Sequence, residues 1–148
     1  MIAVLQRARD AEVSIDNALS GAIGHGLVIL LGVFEGDSEE DAEYLAEKSA
    51  HLRIFNDDEE KMNYSVRDVG GSVLVVSQFT LCADTRKGRR PSYIQAAPPD
   101  RANQLYQYFI QQLRAWELPV ESGEFGAMMD VRLTNAGPVT IILDSNNR

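Results

Sequence analysis

The chain has 148 residues, 45% of them hydrophobic, a single cysteine (Cys82) and a formal net charge of −8. That length fits one domain with its own core, so a single domain over residues 1–148 is expected. One cysteine excludes an internal disulfide and a thiolate-rich metal site. No apolar run approaches the ~20 residues a membrane helix needs, so the chain reads as cytoplasmic, with no membrane partner.

Residues 2–8 read as a strand. Val13 and Ile15 lead to Asp16-Asn17, a two-residue hairpin turn, with residues 18–23 returning. The run from Leu27 to Val33 is continuously apolar, the pattern of a strand buried on both faces. A helix follows, with Ser38 as N-cap and Asp41 placed as the acid of a capping box. Its inward stripe is Ala42, Leu45, Ala46 and Ser49, and it ends near His51.

Leu52-Arg53-Ile54-Phe55 reads as a short strand and the polar stretch from Asn56 to Lys61 as a loop. Gly70-Gly71 introduces an apolar strand, Ser72-Val73-Leu74-Val75-Val76, running into Ser77-Gln78-Phe79-Thr80-Leu81. Polar groups at the end of a buried strand are where open α/β sheets place chemistry. Pro98-Pro99-Asp100 starts a second helix, which ends near Ala115. Its Ala102, Leu105, Tyr106, Phe109, Ile110 and Leu113 recur at helical spacing. Met129, Val131 and Leu133 alternate with polar residues in a half-buried strand, Val139 to Leu143 form the last strand, and Asn135-Ala136-Gly137-Pro138 reads as the link between them. The expected fold is α/β: a compact domain of layered β-sheets with two main helices and about seven strands.

Most standard catalytic signatures are missing. His25 sits between two glycines and His51 near a helix end, neither beside another histidine, so no zincin pattern exists and no metal site is expected. There is no G-x-S-x-G elbow and no P-loop. Cys82 has no identifiable base beside it and reads as a small buried hydrophobe. No cofactor is implied.

Three segments remain. Ser77-Gln78-Phe79-Thr80 offers two hydroxyls and an amide at a strand end, a candidate catalytic group or simply a set of local backbone partners. Gly137-Pro138 reads as a turn. Half of the 22 acidic residues fall in Glu35–Glu47 and Asp57–Glu60, whereas Arg86, Lys87, Arg89 and Arg90 crowd four of the 14 basic residues into one loop. The acidic total argues against a protein that coats nucleic acid by bulk charge, but the loop can meet a few phosphates locally, or be merely solvated.

Read together, these segments resemble the D-aminoacyl-tRNA deacylase family in its common bacterial and eukaryotic form, across essentially the whole chain. The resemblance is carried by Gln6-Arg7, Gly32-Val33, Leu52-Arg53-Ile54-Phe55, Gly70-Gly71, Ser77-Gln78-Phe79-Thr80-Leu81, Lys87-Gly88-Arg89-Arg90-Pro91-Ser92, Ala97-Pro98, Phe125-Gly126-Ala127 and Asn135-Ala136-Gly137-Pro138-Val139-Thr140. Tyr93 stands where the family usually has phenylalanine. The resemblance implies a homodimeric editing hydrolase for aminoacylated tRNA, with no DNA expected as a partner. It implies a cis Gly137-Pro138 bond that reaches from one subunit into the other's pocket, facing Ser77 to Thr80. It places Phe125 and Met129 near the terminal adenosine, and it implies hydrolysis assisted by the free hydroxyl of the terminal ribose.

Chemistry makes these expectations coherent. A D-aminoacyl ester and its L isomer carry the same groups, so a pocket separates them by fixing the ammonium and the ester and controlling where Cβ points. Backbone carbonyls accept well from an ammonium. Glycine permits close approach, and proline fixes its φ. A Gly137-Pro138 probe of that kind selects by rejection. It admits D side chains, and glycyl esters, such as glycine mischarged on the tRNA for alanine, also pass. The competing expectations are a nucleic-acid-binding module without catalysis and a serine or threonine esterase acting on small substrates.

Overall fold

The computed structural model describes all 148 residues. β1 (Ile2–Ile15) and β2 (Ala18–Ile23) form a hairpin around Asp16 and Asn17, whose φ values of 50° and 63° are those a tight two-residue turn demands. β3 (Gly26–Gly32) returns antiparallel to the first half of β1. α1 (Glu39–His51) then crosses one face of the sheet. Asp41 accepts hydrogen bonds from both the backbone N–H and the hydroxyl of Ser38, at 2.8 and 3.0 Å, which fixes the start of α1.

β4 (Phe55–Asn56) and β5 (Met62–Tyr64) make a small separate sheet. Of the strand expected over residues 52–55 only Phe55 is in a strand, which continues to Asn56; before it the backbone turns on itself, the Ile54 N–H donating to the Leu52 carbonyl at 3.1 Å. β6 (Ser72–Ser77) lies parallel to β3, α2 (Pro99–Ala115) packs beside α1, and β7 (Val120–Ser122) lies parallel to β6. β8 (Asp130–Asp144) runs antiparallel to β1 along almost its whole length. The main sheet has the order β2-β1-β3-β6-β7, with β8 added on β1.

The larger core lies between this sheet and the two helices and includes Leu5, Leu27, Ile29, Leu31, Val73, Val75, Leu105 and Phe109. A smaller core on the opposite face gathers Ala11, Val13, Val28, Leu74 and Val76, with Met129 and Leu133 packed against it. β3 is thus buried on both faces, as its unbroken apolar run predicts. No helix is long and apolar enough to cross a membrane.

The ends of the chain bring one correction. The two strands expected over residues 129–134 and 139–143 are a single strand, β8, and Asn135 to Pro138 is not a loop between them. The ladder with β1 slips there: Ala8 pairs with Asn135 and Gln6 with Thr140, so Ala136, Gly137, Pro138 and Val139 stand opposite Arg7 alone. The excess chain bulges out of the sheet. Asn135 spans the bulge, its Oδ1 accepting from the Val139 N–H at 2.8 Å and its Nδ2 donating to the Thr140 hydroxyl at 3.0 Å. Val139 is buried and anchors the far side.

Candidate functional site

β6 ends where its last ladder partner, Leu31, is used up. The Gln78 N–H still bonds the Leu31 carbonyl at 2.8 Å, and Phe79–Cys82 then turn as one short 3-10 helix. The strand expected over residues 72–76 thus runs one residue further, to Ser77, before the chain turns. Gly32 makes this turn possible, because a Cβ there would stand 3.0 Å from the Leu81 Cβ. The Phe79 and Thr80 amides open the turn, where a 3-10 helix has no internal acceptor for them, and neither finds a partner elsewhere in the chain. The Gln78 side-chain amide donates to the Thr80 hydroxyl at close range.

These groups face a cleft of ≈ 560 Å³. Phe125 and Met129 line it too, with the turn between them and apolar residues that include Ala96, Ala97, Ala102 and Val131. Phe125 packs against Tyr106, with ring centroids 5.8 Å apart, while any Cβ at Gly123 would collide with the Met129 sulfur. Phe79 is 57% exposed at the cleft and meets the Tyr93 ring edge-on at 5.0 Å. Not one Asp, Glu, His, Lys or Cys lines the cleft. Its polar members are Ser77, Gln78 and Thr80, and a carboxamide cannot take a proton from Thr80. The cleft can position a substrate and offer N–H donors to a developing oxyanion, but it holds no acid or base of its own.

Cys82 lies outside it. Its thiol points at the Val33 carbonyl, 3.4 Å away, and burial pushes it up to about 11, so it is no thiolate nucleophile. His51 is bound within the fold, between the Glu47 carbonyl and Arg67. No group of three or more His, Cys, Asp or Glu is arranged to hold a metal ion.

Ser77, Gln78, Phe79, Thr80, Phe125 and Met129 are therefore brought together. Gly137 and Pro138 are not: they are exposed on the β8 bulge, outside the cleft of their own chain. Their peptide bond is cis, and Gly137 has φ 137°, in the region that favours glycine. Beneath them Arg7 donates from Nε to the Ala136 carbonyl at 2.7 Å, and from Nη1 to the Ile54 carbonyl at 2.8 Å and to Asn56 at 3.1 Å. A Cβ on Gly137 would lie 2.8 Å from the Arg7 Nη2. The sequence offered one signal for this support: an arginine inside an apolar strand.

The basic loop leaves the chain just after the 3-10 turn and returns at Tyr93, closed by the Asp84–Ser92 bridge. Its four cations are not equivalent. Arg86 is gripped by both oxygens of Asp84, at 2.9 and 2.6 Å, and that guanidinium holds the Asp84 carboxyl down at about 2. Lys87, Arg89 and Arg90 are exposed and unpaired.

Comparison with known proteins brings the whole chain into view. The family model described as D-Tyr-tRNA(Tyr) deacylase matches residues 4–144. The D-aminoacyl-tRNA deacylase of Thermus aquaticus is 57% identical over 148 residues, covering 100% of this chain and 97% of that protein. Its counterpart in Halalkalibacterium halodurans is 57% identical over 145 residues, covering 98% and 99%. Among solved structures, a c-Myc DNA unwinding element binding protein superposes with a TM-score of 0.91 at 39% identity, over 97% of this chain and 98% of that one. A structure described as a probable eukaryotic D-amino acid tRNA deacylase shares the fold, with a TM-score of 0.82 at 18% identity over 96% and 97%.

Proposed function

The chain belongs to the D-Tyr-tRNA(Tyr) deacylase family, and from that membership we propose that it is a cytoplasmic tRNA-editing hydrolase. As a homodimer of one-domain subunits, it cleaves the ester of D-aminoacyl-tRNA to free D-amino acid and tRNA. The observation that carries the mechanism is the absence of any acid or base in the cleft. An aminoacyl ester is already activated, so positioning and oxyanion donors are sufficient help. The vicinal hydroxyl of the substrate's terminal ribose assists the attacking water. Water adds to the ester carbonyl, the oxyanion is held by the free Phe79 and Thr80 amides, and the ribose oxygen leaves with a proton. Ser77 and Gln78 shape that end of the cleft, while Phe125 and Met129 hold the terminal adenosine.

Stereoselection falls to Gly137-Pro138, which enters the partner subunit's cleft. Its backbone carbonyls accept from the α-ammonium, and its bulk occupies the space an L side chain needs. Support comes from its exposure, its place outside its own cleft and the Arg7 bonds that hold its base. D side chains point to solvent and are widely accepted. Glycyl esters, including glycine mischarged on the tRNA for alanine, also pass. Lys87, Arg89 and Arg90 meet phosphates of the acceptor end, and Arg86, through Asp84, holds that loop in shape.

The test is deacylation of D-Tyr-, L-Tyr- and Gly-charged tRNA by the purified protein. The D-Tyr and Gly esters are cleaved and the L-Tyr ester survives; cleavage of L-Tyr at the D rate sinks the rejection mechanism. The name of the structural relative at 39% identity keeps a second reading in play, a nucleic-acid-binding module. That reading predicts binding of charged tRNA, or of DNA, without turnover in the same assay.

A further inference from the structure

A second, smaller cavity of ≈ 280 Å³ adjoins the base of the Gly137-Pro138 bulge, walled by Arg7, Arg9, His25, Phe55, Asn56 and Ala136. Its character is opposite to that of the cleft. Although the chain carries a net charge of −8, no carboxylate lines this cavity. Arg7 spends Nε and Nη1 on its three acceptors and leaves Nη2 without one. Arg9 stands where the β1–β8 ladder slips between Ala8 and Asp10, so no residue of β8 is paired with it, and it joins none of the ion pairs.

The position of His25 is set by its surroundings. Its carbonyl accepts from the Ser72 N–H at 3.0 Å, and its ring meets the Phe55 ring edge-on at 5.1 Å and 77°. Gly26 permits this, because a Cβ there would overlap the Ser72 carbonyl. The imidazole nitrogens make no hydrogen bond within the chain and remain free to meet a ligand. Two guanidiniums and an imidazole thus converge on one concavity with spare donors and no counter-charge. That is the complement of an oxyanion with several acceptor lone pairs.

We infer that this cavity is a phosphate site, and that it takes a backbone phosphate of the single-stranded acceptor end of the tRNA held in the partner subunit's cleft. The inference rests on the deacylase reading above. Its basis is adjacency: Ala136 belongs both to the cavity wall and to the bulge, so RNA engaged by Gly137-Pro138 passes within reach of Arg9 and His25. Free phosphate or a mononucleotide offers the same chemistry, and the experiment separates the two sources.

Arg9→Gln, His25→Gln and the double variant are assayed on D-Tyr-tRNA and on the D-Tyr ester of adenosine, which has no phosphate. For the double variant the KM on tRNA rises roughly tenfold, and the slope of log KM against log salt becomes shallower by about 0.7. Turnover of the adenosine ester stays unchanged. In parallel, inorganic phosphate is titrated into the wild-type protein while the imidazole nitrogen resonances are followed by NMR; the chain has two histidines, and the signal missing in His25→Gln is the reporter. A saturable shift that Arg9→Gln abolishes supports the site. A shift with phosphate but an unchanged KM on tRNA overturns the assignment to tRNA and leaves a site for free phosphate. No shift and no KM effect overturns the site altogether. If the wild type cleaves neither ester, the deacylase reading fails, while the phosphate titration still decides the cavity.

Discussion

The cleft at the end of β6 and the bulge in β8 are built on opposite terms. The cleft is concave and apolar, and its walls come from three separate stretches of chain, around residues 76–80, 96–102 and 125–131. The bulge is convex, presents backbone rather than side chain, and comes from four consecutive residues set against one arginine. Within one chain they do not meet. Under the proposed function the cleft receives the ester and the bulge discriminates between its isomers, so that function requires a site shared across two subunits. Side-chain changes should therefore be damaging where they disturb the bulge and mild at the polar end of the cleft.

The largest effect is expected from Gly137→Ala. Its φ of 137° is unfavourable for alanine, and the new Cβ would press on Arg7 Nη2 and on Val139 at 2.8 and 2.9 Å. Displacing the bulge by about 1 Å costs on the order of 100-fold in D-Tyr-tRNA deacylation. Steady-state kinetics on protein shown folded by circular dichroism measures this. Next comes Arg7→Ala, which removes the bonds to Ala136, Ile54 and Asn56. Stability falls by about 1–3 kcal/mol by urea titration, with roughly tenfold lower activity and measurable cleavage of L-Tyr-tRNA. A change in stability without loss of stereoselectivity would make Arg7 a fold residue only.

A smaller effect separates the members of the basic loop. Replacing Lys87, Arg89 and Arg90 together by glutamine raises KM on tRNA several-fold. It also flattens the salt dependence by about 0.7 for each phosphate no longer neutralised. Arg86→Gln has a lesser salt effect, because Asp84 already neutralises it. Smallest of all is Thr80→Ala, with kcat within about threefold of wild type, since the proposed donor is the backbone amide. A fall of roughly 1,000-fold would restore Thr80 as a nucleophile.

The same contrast governs what could be read in the sequence. β3, α1 and α2 are legible because burial imposes a period on their residues, unbroken in β3 and helical in the other two. The grouping of Ser77 to Thr80 at a strand end is legible as well, although not the turn at Phe79, which depends on Gly32 making room in a neighbouring strand. The bulge is not legible locally. Asn-Ala-Gly-Pro carries turn chemistry, and only the pairing with β1 reveals that the chain on both sides belongs to one strand. Arg7 and Asn135 hold the bulge through contacts that no spacing rule encodes, with sequence separations of 129 and 4 residues respectively. The family resemblance pointed to Gly137-Pro138; the physical pattern of the residues alone pointed to a turn.

The most direct test of a divided site is complementation between two defective subunits. One carries Gly137→Ala, which disables the bulge. The other carries Ala127→Trp, which fills the cleft in a turn that faces it. Each variant alone is expected to be nearly inactive on D-Tyr-tRNA. After unfolding and refolding together, half of the dimers are mixed, and each mixed dimer has one intact bulge facing one open cleft, so about a quarter of wild-type activity returns. Mixed dimers isolated with two different affinity tags that show no activity beyond the separate variants would contradict the account.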